Sequence, residues 1–515
     1  MPIQVFSRRS QAFRNPARNS TGPSTLAADL LTLLCVVLTG MAITWASFHH
    51  GPWYDEFYTQ YVTRNSIGWG EALRGSWLAD NHPPLYYALA RATDGLGGIE
   101  THRLLNLGIA AAALVAGMAV VREVPGLRMA AALLALLLAA NSWTMLSAAE
   151  LRSYFLSLCA GAVLALSLAA IWISGEAGSP ARRAATAMVT LLAFNTHIIT
   201  TVIAGAFYAP FVLLALARRD WRRLRALLPP ALASGGLFLA VTAIQYPHWR
   251  ANTQVFWIAA GFEQARWSIE YALLRTLEAN PAITLGALVG GALFLRDILH
   301  AKAFSPQATV LAQLTVGAML AIAILVGLHL LHPMLIEKYL TAMVGAVSFG
   351  LALACARLVA VLGRRAATAA LALAFLVTTF ALGQNVALVT ARNSWFGTGE
   401  LIARQVARCP GTVIHTDDFW NSDVMAMSPD DNRAVTPWAY RYVASEFGFR
   451  IEPQGSHRLG GSCPTLFWAE HDTRRRFDET TILARLRATG FDLEHIYLTR
   501  VGDGWVASDR PLVTG

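Results

Sequence analysis

The stretch Thr25–Tyr58, TLAADLLTLLCVVLTGMAITWASFHHGPWYDEFY, sets one long apolar run just ahead of two adjacent carboxylates, Asp55 and Glu56. About 20 apolar residues suffice for a helix to cross a bilayer. The run therefore reads as a membrane span, and its end delivers the acidic pair to the lipid–water boundary. Ionisable groups at membrane depth are costly to desolvate and mark functional sites. The run is too long for a secretory leader and lacks a small-residue cleavage signal, so it reads as a retained anchor.

The remaining sequence continues in the same material. Of 515 residues, 55% are hydrophobic and 14% charged, whereas a soluble globule carries roughly 25% charged residues. Mean hydropathy is +0.44. Spanning candidates lie near 25–48, 103–121, 127–146, 151–173, 184–199, 200–217, 227–245, 280–296, 308–331, 339–356 and 366–388. These predict a polytopic α-helical membrane protein of about eleven helices. The pair 184–199 and 200–217 consists of two short runs with His197 between them.

The net charge is +9, but the basic residues form no single patch, and nucleic acid is excluded as a partner. They fall instead in alternate loops: Arg8, Arg9, Arg14 and Arg18; Arg122 and Arg128; Arg182 and Arg183; Arg218, Arg219, Arg222, Arg223 and Arg225; Arg296 and Lys302; Arg364 and Arg365. The positive-inside rule places these loops in the cytoplasm. Residues 1–24 then form a cytoplasmic tail, residues 25–388 the membrane domain, and residues 389–515 lie outside. Only Lys302 and Lys338 among the 41 basic residues are lysines. That bias suits a GC-rich bacterial genome, and hence a bacterial inner membrane with a periplasmic outer side.

This topology sorts the unusual polar residues. Asp55, Glu56, His82, Glu150, Arg152, His197, His332, Glu337 and Lys338 all fall at outer ends of spans. The first outer loop, 49–102, is punctuated by Trp53, Trp69, Trp77, Tyr86 and Tyr87, as expected of short helices lying in the interface. The C-terminal region reads as a small α/β domain, large enough for its own core. Strands are expected at Gly411–Thr416 and Thr465–Ala469, a helix over Glu479–Thr489, and a strand near His495–Thr499. Cys409 and Cys463 lie in this region, each followed by proline; an oxidising compartment permits a disulfide between them. Cys35, Cys159 and Cys355 sit inside apolar runs and read as inert core residues.

Each motif has a chemical and a plain reading. Asp55 is placed to take a proton from an attacking hydroxyl, with Glu56 as a second carboxylate; otherwise the pair is a solvated loop. His82-Pro83-Pro84-Leu85-Tyr86-Tyr87 is stiffened by its prolines. It either presents His82 or Tyr86 to a substrate or only packs. Glu150 and Arg152, two apart on a helix, do not face each other and need separate partners. Thr196-His197 is a packing histidine or a ligand. Lys338 suits a lipid-linked phosphate, or simply snorkels. There is no P-loop, GxGxxG before a helix, CxxC or HExxH.

Taken together, Tyr54-Asp55-Glu56, His82-Pro83-Pro84-Leu85-Tyr86-Tyr87, Glu150-x-Arg152-x-Tyr154, Thr196-His197 and Lys338-Tyr339 resemble the GT-C glycosyltransferases of the protein O-mannosyltransferase and aminoarabinose-transferase type. The match runs over about residues 25–345; at Lys338 the family more commonly has Arg before Tyr, and a lysine is less bidentate. The resemblance implies an inverting transfer of a sugar from a polyprenyl-phosphate donor to a hydroxyl of a glycan, glycolipid or lipopolysaccharide, or protein. It makes Asp55 the general base and Glu56 a holder of acceptor or sugar. It makes Arg152 and Lys338 ligands of the donor phosphate, with His82, Tyr86, His197 and Tyr339 lining the substrate site. No cofactor is required if the two cations carry the charge, while a divalent metal at Asp55-Glu56 is the alternative. A monomer is the family-level expectation. A transporter or lipid flippase is the competing class; its signs are inverted repeats and helices broken at mid-membrane, and the sequence displays neither.

Overall fold

The computed structural model describes residues 25–252, 258–391, 395–416, 429–453, 456, 458–470, 479–488, 491, 493–502 and 504–512. Among these, nine helices are long and apolar enough to cross a membrane, or ten if one bent pair counts as a single span. The chain begins with α1 (Thr25–His49), then the short interfacial helices α2 (Tyr54–Thr63) and α3 (Leu85–Thr93). The membrane helices continue as α4 (Leu105–Glu123), α5 (Arg128–Ala140), α6 (Ser142–Ala148), α7 (Tyr154–Ser174), α8 (Pro180–Asn195), α9 (Ile198–Ala217) and α10 (Trp221–Asn252). After α11 (Phe262–Glu278) come α12 (Pro281–Ala301), α13 (Pro306–Leu331), α14 (Thr341–Val361) and α15 (Arg364–Thr390).

Two expected spans differ in detail. The run near 127–146 is broken at Asn141, whose extended backbone ends α5. Its side chain accepts a hydrogen bond from Trp143 N at 2.9 Å and so caps α6; the two pieces meet at 68°. The run near 184–199 becomes α8, a helix of 16 residues. At 1.5 Å per residue it is about 24 Å long, short of the hydrocarbon thickness. It stops because His197 is extended and caps α9 through Nδ1, which accepts from Ile199 N at 3.1 Å.

The centre of the bundle is α7, which is buried along nearly its whole length and packs most extensively on α14. Small residues allow the approach. A Cβ at Gly161 would run into the Ala342 carbonyl, and one at Gly345 into the Leu158 carbonyl. The start of α7 follows Arg152, and the start of α14 follows Lys338. The close crossing therefore sets two distant cations side by side.

The C-terminal region adds α16 (Trp395–Arg408), β1 (Val413–Thr416), α17 (Pro429–Glu446), β2 (Thr465–Ala469), α18 (Glu479–Ala488), β3 (Tyr497–Val501) and β4 (Gly504–Ser508). The strands form one mixed sheet in the order β1-β2-β4-β3, with β1 parallel to β2 and the other pairs antiparallel. The expected strands and helix are present. Sequence reading missed β4 and the helices α16 and α17. Cys409 and Cys463 are joined, with their Cα atoms 5.7 Å apart. Cys35, Cys159 and Cys355 are buried free thiols.

Candidate active site

The acidic pair is presented by the first turn of α2. Glu56 occupies the third helical position and accepts from the backbone N–H of Trp53 at 3.3 Å, half of a capping box. Its carboxylate also takes a fork of bonds from Arg103, Nε to Oε1 at 2.7 Å and Nη2 to Oε2 at 2.8 Å, and one from Leu151 N at 2.7 Å. Both partners are fully buried. Arg103 further donates to the carbonyls of Ser47 and His50. Where the sequence suggests a carboxylate that holds substrate, the fold has a buried ion pair tying the end of α1, the start of α2 and the loop before α7 together. Asp55 and Glu56 serve different partners, so a metal ion bridging the pair would have to break the bond to Arg103.

Asp55 projects differently. Its Oδ2 lies 3.7 Å from Arg152 Nη2 and 3.6 Å from Lys338 Nζ, and its side chain keeps 28% of its exposure. Three residues far apart in sequence thus meet at one oxygen. Arg152 also donates to the Thr59 hydroxyl at 3.1 Å. Lys338 rides over the Trp53 ring at 3.9 Å, a cation–π contact that steadies the ammonium. The turn ahead of Lys338 is fixed by His329, whose Nδ1 accepts from Met334 N and Leu335 N at 3.2 and 3.0 Å.

Beside these cations stands a ring cluster. His197 lies 4.8 Å from His82 and 4.7 Å from Tyr339, centroid to centroid, and Tyr339 lies 5.9 Å from Tyr154. Tyr86, buried to 3% exposure, shares a small pocket with His82, Pro83, Tyr87, Arg152, Ser153 and Thr196. The structure brings together all the expected site residues except Glu56, which is committed to Arg103.

The loop carrying His82 is held from both sides. Asp80 accepts from His82 Nδ1 at 3.3 Å and from the Tyr87 hydroxyl. Burial by itself raises the Asp80 carboxyl, but the His82 charge and bond, the Tyr87 bond and Arg152 outweigh it and hold the group below its ordinary value. On the far side, Gln245 of α10 donates to the carbonyls of Trp77, Asp80 and His82 at 2.9–3.1 Å. Sequence reading assigned no role to Arg103, Asp80, Gln245 or His329. Asp80 lies two residues ahead of His82, and that closeness was the available signal. For Arg103 no local signal exists, since its partner is 47 residues away.

The described residues thus form a polytopic bundle of long apolar helices with a C-terminal sheet, and they gather a carboxylate and two cations at helix ends. No family model matches the sequence, and no curated protein matches it. Among solved structures, the chain is similar to ArnT from Cupriavidus metallidurans in the apo state, with a TM-score of 0.52, 14% identity, and coverage of 93% of this chain and 97% of that one. It is similar also to the same ArnT bound to undecaprenyl phosphate, with a TM-score of 0.51, 15% identity, and coverage of 96% and 100%. At such identity the likeness establishes a shared fold alone.

Proposed function

We propose that this protein is a glycosyltransferase that moves a sugar from a polyprenyl-phosphate donor to an acceptor hydroxyl at the outer face of a bacterial inner membrane. The observation that carries the reading is the convergence of Arg152 and Lys338 on Asp55, in a fold that, in ArnT, accommodates undecaprenyl phosphate. A prenyl phosphate carries its anion at the interface while its chain stays in lipid. Two cations at that level stabilise both the bound donor and the leaving group, on which a second negative charge develops. Without donor, Asp55 shields the cations from each other. Donor phosphate takes over that role and releases the carboxylate for general-base work.

The reaction is then one displacement. The acceptor oxygen forms a bond to the anomeric carbon, the bond from that carbon to the phosphate oxygen breaks, and prenyl phosphate departs. The acceptor proton passes to Asp55, and the anomeric configuration inverts. Glu56 keeps α2 in place and touches no substrate in this account. The acceptor is a glycan, glycolipid or protein hydroxyl.

The test is donor binding to the purified full-length protein. Lys338→Ala and Arg152→Ala are each expected to weaken prenyl-phosphate binding about tenfold to a hundredfold, the range for losing a charge-assisted bond. Unchanged affinity in both variants would remove the phosphate from this site.

A further inference from the structure

Away from the two cations the bundle holds a long apolar slot, an empty volume of about 850 Å³. α1 packs on α5, and α4 packs on α7; the slot lies between these two pairs. Ala110, Ala113 and Gly117 recur on one face of α4, and Ala131, Ala135 and Ala139 on one face of α5. These small side chains line the space and leave it unfilled. No lining residue carries a charge. The slot follows α7 from Phe155 to Leu166 and α4 from Ala110 to Val121, in each case about 16 Å of helix at 1.5 Å per residue. Half of a bilayer's hydrocarbon is about 15 Å deep, so the slot has the length of one leaflet's chain.

A stranded hydroxyl says what the chain must carry. Thr144 lines the slot and is buried to 2% exposure, and its Oγ1 has no partner among the described residues. Other threonines of the bundle bond the carbonyl one turn back, as Thr32 does to Ala28 at 2.9 Å and Thr190 to Thr186 at 2.7 Å. For Thr144 that carbonyl is Ala140's, which lies across the break at Asn141 and accepts from Asn385 at 2.8 Å instead. Buried polar groups are ordinarily paired, and in lipid an unpaired one is costly. Asn385 stands about 8 Å inside the end of α15 at Thr390, the depth at which headgroups give way to chains, since the interfacial layer is about 5–8 Å thick on each side. A prenyl chain has no oxygen below its phosphate, and a phosphate would meet no cation in this slot. A glycerophospholipid has an ester carbonyl at the head of each acyl chain, an acceptor at the required depth.

We propose that the slot holds one acyl chain of a glycerophospholipid, from the leaflet on the Arg152 side, with its ester carbonyl accepting from the Thr144 hydroxyl. The lipid is part of the scaffold. It fills the space beside α6 and the start of α7, which flank the loop that carries Arg152 and that bonds Glu56 through Leu151 N. The inference goes beyond the glycosyltransferase reading and does not depend on it.

The experiment uses the full-length protein in lipid-free detergent and two photoactivatable probes, a phosphatidylethanolamine and a prenyl phosphate, each with a diazirine in its chain. Labelled peptides are read by mass spectrometry. The phosphatidylethanolamine probe is expected to label α4 between Ala110 and Val121 and α5 between Ala131 and Ala139, to saturate, and to be displaced by unlabelled phosphatidylethanolamine. Ala135→Phe fills the slot and should reduce this labelling at least about tenfold. Thr144→Val deletes a hydroxyl that bonds to nothing in the protein, so without lipid it should melt as the wild type does. It should bind phosphatidylethanolamine about threefold to tenfold more weakly, the scale of one hydrogen bond. Full affinity of Thr144→Val for phosphatidylethanolamine overturns the inference, whether or not Ala135→Phe folds. Preferential labelling of the slot by the prenyl phosphate probe overturns it as well, and neither result touches donor binding at Arg152 and Lys338.

Discussion

Asp55 and Glu56 are neighbours in the chain with opposite fates. Glu56 is sealed against Arg103 with no solvent access, while Asp55 stays part-exposed between two cations. Removing one partner of a buried ion pair strands the other charge and costs roughly 3–5 kcal/mol. Arg103→Met should therefore lower the thermal midpoint by several degrees and broaden the transition, as read by a detergent thermal scan. An unchanged midpoint would mean that the pair is not part of the scaffold. Asp80 gives a pH expectation. Its folded-state pKa lies below its ordinary value of 3.8, so its contribution to stability is fully present above pH 3.8 and is lost as pH falls through the lower folded value. Asp80→Asn should remove that acid-side slope in a pH series of melting curves. Asp55, Arg152 and Lys338 were legible because each stands in a short polar-aromatic motif at the outer end of an apolar run, Tyr54-Asp55-Glu56, Glu150-x-Arg152-x-Tyr154 and Lys338-Tyr339. Arg103 was not, because one arginine among many at a span boundary looks like a topology signal until its distant partner is known.

At the scale of elements, the C-terminal region acts as a buttress for α2. Phe57 packs its ring 4.9 Å from Trp395 of α16 and 5.7 Å from Tyr442 of α17. Tyr61 lies 5.7 Å from Trp438, and the Tyr442 hydroxyl accepts from Ile99 N at 2.9 Å. One aromatic seam thus joins the sheet region to the helix that bears Asp55. Trp438 is partly buried, so truncating it costs less than the about 3–5 kcal/mol of a fully buried aromatic. Trp438→Ala should accordingly lower both stability and turnover, whereas Trp438→Phe should restore most of each; loss of stability with full turnover would show that the seam does not position α2. The seam was hidden from sequence reading because α16 and α17 are amphipathic helices whose apolar faces meet another unit, and the periodicity of a helix does not say what covers it. The strand β4 was missed for a related reason. Gly504–Ser508 is five residues long and reads as a tail until it pairs with β2 and β3.

At the scale of the whole molecule, the proposal depends on sidedness. The C-terminal region lies outside only if the number of crossings is odd. Among the described residues nine helices are long and apolar enough to cross, ten with the bent α5–α6 pair; the account requires the 16-residue α8 to be the eleventh crossing. Such a crossing would be sheltered, since α8 packs against α7, α9 and α10. Hydropathy could not separate a long crossing from a short one, since the break lies in the cap formed by His197. A single cysteine placed at Asn65, in the exposed turn after α2, should react with a membrane-impermeant maleimide in intact spheroplasts; one placed at Arg219 should react only after the membrane is opened. The reverse pattern would put the carboxylate on the cytoplasmic side.

The most direct measurement is sugar transfer by Asp55→Asn, made with a purified prenyl-phosphate sugar and paired with a binding assay on the same sample. The account predicts that this variant binds prenyl phosphate at least as tightly as the wild type, because the cations keep their place and lose a competing carboxylate, while turnover falls by about 10²–10⁴. Transfer at the wild-type rate by a folded, donor-binding Asp55→Asn protein would contradict it.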